Sequence, residues 1–298
     1  MVSKILTKKF RHLGAAGLSA VLLAACAGTA TAFQSVPDRG TAETNGQNGA
    51  TYADMVTLAE RSDLAIRAVI ADQITLPAER APDVAPGFAR LYIEAETLAL
   101  IAGSVPVGEE LTYLIDVARD ADGDVPDLED REVVLFADAV PGRPGAIQLV
   151  GPGAQIMHSP ALEARLRPIL TELVGNQVPP QITGIGDALA VPGTLTGESE
   201  TQIFLETRDG SPVSITVLRR PGREPIWGVS WGEIVDSSAR PPEQRTLRWY
   251  RLACSLPRTL PSSANLARDP AARALAEEDY AFVVERLGEC ERTLTQDY

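Results

Sequence analysis

Ser230 stands in Gly228-Val229-Ser230-Trp231-Gly232, which has the GxSxG spacing of a nucleophile elbow. An elbow holds a serine on a sharp turn between a strand and a helix. Its hydroxyl can then attack a carbonyl once a histidine takes the proton. The residues before Gly228 read as a strand, but so do Glu233-Ile234-Val235-Asp236 after it. His158 is the last histidine of the chain, so no base follows the serine. Hydrolysis by Ser230 is therefore the second reading. The first is a strand with glycines at a bulge, where Trp227 and Trp231 pack or line a groove.

A second candidate is Asp120-Ala121-Asp122-Gly123-Asp124, followed by Asp127 and Glu129. With Gly123 at the sixth position of a calcium loop, Glu129 falls at the twelfth. Ala118 occupies the first ligand position, and the flanks read as strands rather than helices. An acidic hairpin loop over 116–132 is expected, with no metal assigned. His158 precedes a helix start and is expected to make a local hydrogen bond. Gly184-Ile185-Gly186-Asp187-Ala188-Leu189 lacks the third glycine of a dinucleotide fingerprint, and Gly151-Pro152-Gly153 departs further. Both read as loops, and no cofactor is implied.

Composition removes other chemistries. The three lysines are Lys4, Lys8 and Lys9, so the chain after residue 25 has none. That excludes a Schiff-base lysine, a Ser–Lys dyad and a phosphate-loop lysine. His158 is the one histidine after residue 25, which excludes HExxH and multi-histidine zinc sites there. Taking Lys4, Lys8, Lys9 and Arg11 from the 27 basic residues leaves 23 against 40 acids, a net charge of −17. Such a surface repels nucleic acid and anionic headgroups, and it reads first as a solubility device.

Cys26 offers chemistry of another kind. Lys4, Lys8, Lys9 and Arg11 form a basic start, Leu13 to Ala25 a short apolar run, and Leu23-Ala24-Ala25-Cys26 ends it. The run is short for a bilayer span and has the profile of an export signal. Its end resembles the lipobox of bacterial lipoproteins. The resemblance implies a Cys26 thiol that accepts a diacylglycerol and a mature protein that starts there. Each buried methylene contributes about 0.8 kcal/mol, so several acyl chains hold a protein to a membrane almost permanently. Ala27, rather than an aspartate, is similar to the outer-membrane type, facing the periplasm. The alternative is Ala30-Thr31-Ala32, where a general signal peptidase could cut before Phe33 and release a soluble protein. Cys254 and Cys290 remain, and an oxidising compartment makes a disulfide between them the expectation, with two buried thiols as the alternative.

These residues need positioning elements. Residues 26–50 are small and polar and read as a tether. Tyr52 to Arg61 reads as a helix. Strands follow at Leu64 to Ile74, Phe88 to Ile101, Glu110 to Val117, Glu132 to Ala139 and Ala146 to Val150, with glycine and proline between them. Residues 51–158 thus read as an antiparallel β barrel or sandwich. Ser159-Pro160 opens a helix with a stripe of Leu162, Leu166, Ile169, Leu170 and Leu173. Pro168 should kink or split it. A β-meander completes residues 159–240, with a hairpin over Gln202 to Leu218 and a strand from Ile226 to Ile234. In residues 241–298 helices start at Pro241-Pro242 and at Asp269-Pro270. The second has a stripe of Leu275, Phe282, Val283, Leu287 and Cys290. Both cysteines fall near helix C-termini, so a disulfide requires those ends to meet.

Within residues 69–150 the strand Leu91 to Ile101, Gly103, Gly108, Leu111 to Val117, Pro126-Asp127-Leu128, Val133 to Ala137 and Gly145 to Val150 follow an order that resembles the netrin-like module, an OB-like barrel. The cysteine framework of the metalloproteinase inhibitors in that family, with its N-terminal Cys-x-Cys, is absent. No inhibitory role follows from the resemblance. The expectation is an α+β protein of the cell envelope, held to a membrane through its N-terminal lipid, with a non-enzymatic binding or structural role. Its partners would be envelope proteins, not nucleic acid. Trp227, Trp231 and Trp249 are the candidate binding surface, with packing in the core as the alternative.

Overall fold

The computed structural model describes residues 49–236 and 238–295. Cys26 and nearly all of the tether lie outside them. Helix α1 (Tyr52–Arg61) begins with a reciprocal cap. The Thr51 hydroxyl accepts the Asp54 N–H at 3.1 Å, and the Asp54 carboxylate accepts the Thr51 N–H at 2.9 Å.

Six strands follow: β1 (Leu64–Thr75), β2 (Phe88–Gly103), β3 (Glu110–Ala118), β4 (Glu132–Ala139), β5 (Ile147–Leu149) and β6 (Gln155–Met157). They form one antiparallel sheet in the order β3-β2-β1-β4-β5, with β6 also on β4. A parallel bridge between Thr112 and Ala146 brings the β3 edge to the start of β5 and partly closes the sheet. Its concave side encloses a core of Leu64, Ile66, Ile70, Leu91, Ile93 and Leu135, joined by Leu111, Tyr113 and Ile147 among others. β4 is buried on both faces. Val133, Leu135 and Ala137 point into this core, while Val134 and Phe136 point out of it into a second, larger one. That explains a near-continuous apolar run where a strand buried on one face would alternate.

Helix α2 (Pro160–Leu173) starts at Ser159, whose hydroxyl accepts the Leu162 N–H at 3.1 Å. Pro168 does not split it. Pro168 and Ala164 both lie on the exposed face, so the Ala164 carbonyl that loses its donor is solvated. A second antiparallel sheet, in the order β10-β9-β8-β7, comprises β7 (Ile182–Pro192), β8 (Ser199–Thr207), β9 (Val213–Arg219) and β10 (Ile226–Ser230). The hairpin expected at Asp209-Gly210 joins β8 to β9, and Gly210 has φ +75°, where glycine is favoured. Gly184 and Gly186 lie in β7, not in a loop. Each sits at a register shift against β8, so these glycines mark bulges.

Two helices close the fold, α3 (Leu247–Ala253) and α4 (Pro270–Leu287). α3 begins later than Pro241-Pro242, because Thr246 is the residue that caps, accepting the Trp249 N–H at 3.2 Å. α4 packs on β7 and β8 through Ala272, Ala276, Tyr280, Val283 and Leu287, with Asp279 buried among them. The expected stripe was partly rotated: Leu275 and Phe282 are only half-buried. The larger core joins α1, α2, the outer side of β1 and β4, the inner side of the second sheet, α3 and α4. The protein is thus α+β, with two antiparallel sheets and four α-helices among the described residues. Among the described residues no helix is long and apolar enough to cross a membrane.

Candidate functional site

The GxSxG segment is β10, an edge strand, and it does not continue to Ile234. After Ser230 the chain bends, and Asp236 with residues 238–241 returns over the outer face of the sheet as a strap. The Ser230 hydroxyl accepts the Asp236 N–H at 2.9 Å, and the Val229 N–H donates to the Arg240 carbonyl at 3.3 Å. A Cβ at Gly228 would sit 2.0 Å from the Ala239 carbonyl oxygen. Gly228 and Ser230 are therefore the residues on which the strap seats: one is bare enough for backbone to touch, the other offers an acceptor. Neither a bulge nor a strand–turn–helix elbow forms here. His158 lies elsewhere, at the β6–α2 junction, with its ring nitrogens 3.1 Å from Glu132 and 3.0 Å from Glu163. Among the described residues no histidine lies beside Ser230.

Between strap and sheet lies a groove of about 310 Å³, lined by Thr216, Leu218, Ile226, Trp227, Asp236 and Arg240 among others. The Asp236 carboxylate turns the strap by accepting the Ser238 hydroxyl at 2.6 Å and the Ser238 N–H at 2.8 Å. These bonds hold it below the usual carboxylate range. The Thr216 hydroxyl donates to Gln202 at 3.1 Å.

The tryptophans do not make one exposed aromatic surface. Trp227 and Trp249 belong to the larger core, and the Trp249 ring N–H donates to the Leu287 carbonyl at 2.8 Å. Tyr52 meets Trp249 edge-on, with ring centres 6.2 Å apart. Only Trp231 is half-exposed, under the Arg248 guanidinium at 5.7 Å. Large rings on a strand and on a helix that face the same interior fill it, and their spacing in the sequence does not reveal that they converge inward.

Cys254 caps α3, and Cys290 follows α4 by three residues. They are bonded, with Cα atoms 5.1 Å apart, so the two helix ends do meet. In the acidic loop the Asp120 carboxylate accepts the Asp122 and Asp124 N–H groups at 3.0 and 2.8 Å, which closes the turn on itself. Among the described residues no three His, Cys, Asp or Glu side chains converge as metal ligands.

Three buried charged residues went unrecognised in the sequence. Asp54 receives the N–H groups of Leu294 and Thr295 at 3.1 and 3.0 Å and that of Thr293 at 3.1 Å, besides its bonds to Thr51. Burial opposes its ionisation, but bonds from Thr51, Thr293 and Thr295 outweigh burial and bring it down to about 2. Asp279 pairs with Arg219 and accepts the Thr201 hydroxyl, tying α4 to the second sheet. Arg251 binds Glu60 and donates to the Pro179 carbonyl at 3.1 Å. A charged residue on an apolar helical stripe is the one signal that could have found Asp279. Comparison with protein-family models gave no match, and a search of curated proteins gave none either.

Proposed function

We propose that this is an exported, lipid-anchored protein of the cell envelope with a non-enzymatic binding or structural role. The observation that carries the reading is Cys26 at the end of a basic and then apolar N-terminal run. The Cys254–Cys290 disulfide supports it, because such bonds persist in oxidising compartments. The hydroxyl of Ser230 is engaged by the strap, which favours binding over hydrolysis. The strand order β3-β2-β1-β4-β5, with a parallel contact from β3 to β5, supports the OB-like resemblance of the first sheet. The groove under the strap is the concave surface the second sheet offers.

Fractionating cells that carry the wild-type chain or Cys26→Ser, with intact mass of the membrane extract, tests the anchor. The wild-type protein is expected in the membrane with an acylated N-terminus at residue 26, and Cys26→Ser is expected to lose that mass. A native polypeptide that begins at Phe33 and stays in the aqueous fraction would overturn the reading.

A further inference from the structure

The negative charge is concentrated. Residues 72–130 hold fourteen carboxylates and three arginines, a net of −11 of the −17 that follow the N-terminal run. This stretch is the end of β1, the β2–β3 hairpin and the loop after it. Across the outward face of these three strands the register sets Ile74, Tyr92 and Leu114 side by side. Ile74 is 49% exposed and Leu114 48%. The neighbouring cross-strand pair on one side is Asp72 with Glu94. On the other side Arg90 is already neutralised, 2.6 Å from Asp116 and 3.0 Å from Asp83. The face is therefore an apolar row between acidic borders.

The strand that bounds this face has an unused edge. The Thr112 N–H donates to the Gly145 carbonyl at 2.8 Å. Beyond it, from Leu114 to Ala118, the outer edge of β3 makes no backbone hydrogen bond to another element among the described residues. An open edge invites a further strand. A strand added there would place a side chain next to Leu114 and lengthen the Ile74–Tyr92–Leu114 row. Charge selects what can do so. A second copy would bring acid against acid, as would an anionic lipid or nucleic acid. Residues 27–48 of the chain itself supply one arginine, Arg39, against Asp38 and Glu43, so the tether is no match.

We propose that the β2–β3 face docks an extended cationic protein segment with alternating apolar side chains, paired along the β3 edge from Leu114 to Ala118. Its apolar side chains cover the Ile74–Tyr92–Leu114 row, and its cations face Asp72, Glu94 and the acidic loop. The proposal goes beyond the envelope reading and stands without the lipid anchor.

The probe is a short fluorescent peptide of alternating arginine and valine, titrated with the full mature chain in non-ionic detergent and followed by anisotropy. Binding is expected, weaker at high salt. Leu114→Ser is expected to lower affinity about tenfold by removing apolar contact without changing charge. Asp72→Asn with Glu94→Gln should weaken it too. Asp187→Asn with Glu200→Gln removes equal charge from the second sheet and is expected to leave affinity unchanged. All these positions are exposed, so thermal melts should match the wild type. No binding, wild-type affinity in Leu114→Ser, or equal weakening by the second-sheet control would overturn the proposal.

Discussion

The two sheets solve the same burial problem in opposite ways. The first curls until its own concave side is a core, apolar but for the Tyr113 hydroxyl, which donates to Gln155 at 2.6 Å. The second stays open, takes α4 on one face and the strap on the other, and admits polar groups under both. Ser199, Thr201, Ser214, Thr216 and Ser230 are buried on its strands, and no buried polar residue lies on the strands of the first. The first sheet, partly closed by the contact of β3 with the start of β5, covers its inner side largely with its own strands. A sheet covered by separate segments has to fix where each one lands, and directional hydrogen bonds such as Asp279 to Thr201 do that where apolar contact cannot.

Substitutions in and around the two sheets should reveal this difference. The largest expected effects are in β4, whose neighbouring side chains enter different cores. Phe136→Ala should cost about 3 to 5 kcal/mol and Leu135→Ala about 2 to 5 kcal/mol in urea unfolding. A double variant with the two costs adding would keep the cores separate, and a strong coupling would merge them. Replacing Cys254 and Cys290 together by serine should cost about 3 to 4 kcal/mol, as expected for opening a loop of 36 residues. Heat denaturation with and without reductant would read it.

Gly228→Ala should cost about 3 kcal/mol, since the strap backbone must move, and protease should then cut near residues 236–241. Gly108→Ala in the first sheet's connection, with its nearest neighbour at 3.5 Å, is the matched control and should change little. Apart from that control, the smallest effect belongs to Asp54, which serves neither sheet. Its lowered pKa means that its contribution, about 2 kcal/mol, is full above the ordinary aspartate range and fades as pH falls towards about 2. Asp54→Asn should flatten the acid limb of stability against pH. An unchanged limb would remove Asp54 from the account.

The first sheet was the more legible of the two in the sequence. Its strands are bounded by glycine and proline, and their alternation or continuous apolarity follows from one or two buried faces. The hairpin at Asp209-Gly210 and the start of α2 at Ser159-Pro160 were equally plain, because turn and cap chemistry is local. The strap was not. Residues 233–236 have the apolar content of a strand, and only the contact of Gly228 with a segment eleven residues later turns the chain away. The tryptophans left two readings open for the same reason, and Trp227 and Trp249 took the core one: ring size is visible in a sequence, but which way a strand faces depends on partners far along the chain. Asp54 and Asp279 are single acids with distant partners: those of Asp54 reach 241 residues along the chain, and those of Asp279 lie 60 and 78 residues away.

The Asp54 bonds have a mechanical consequence. They join residues 293–295 to the start of α1, and the Thr293 hydroxyl also reaches the Gly49 carbonyl at 3.3 Å. A pull on the chain at Gly49 is thus met within a few residues by the Asp54 bonds and, through Cys290, by a covalent link to α3. Force applied at that corner is shared between the Asp54 bonds and the disulfide before it reaches either sheet.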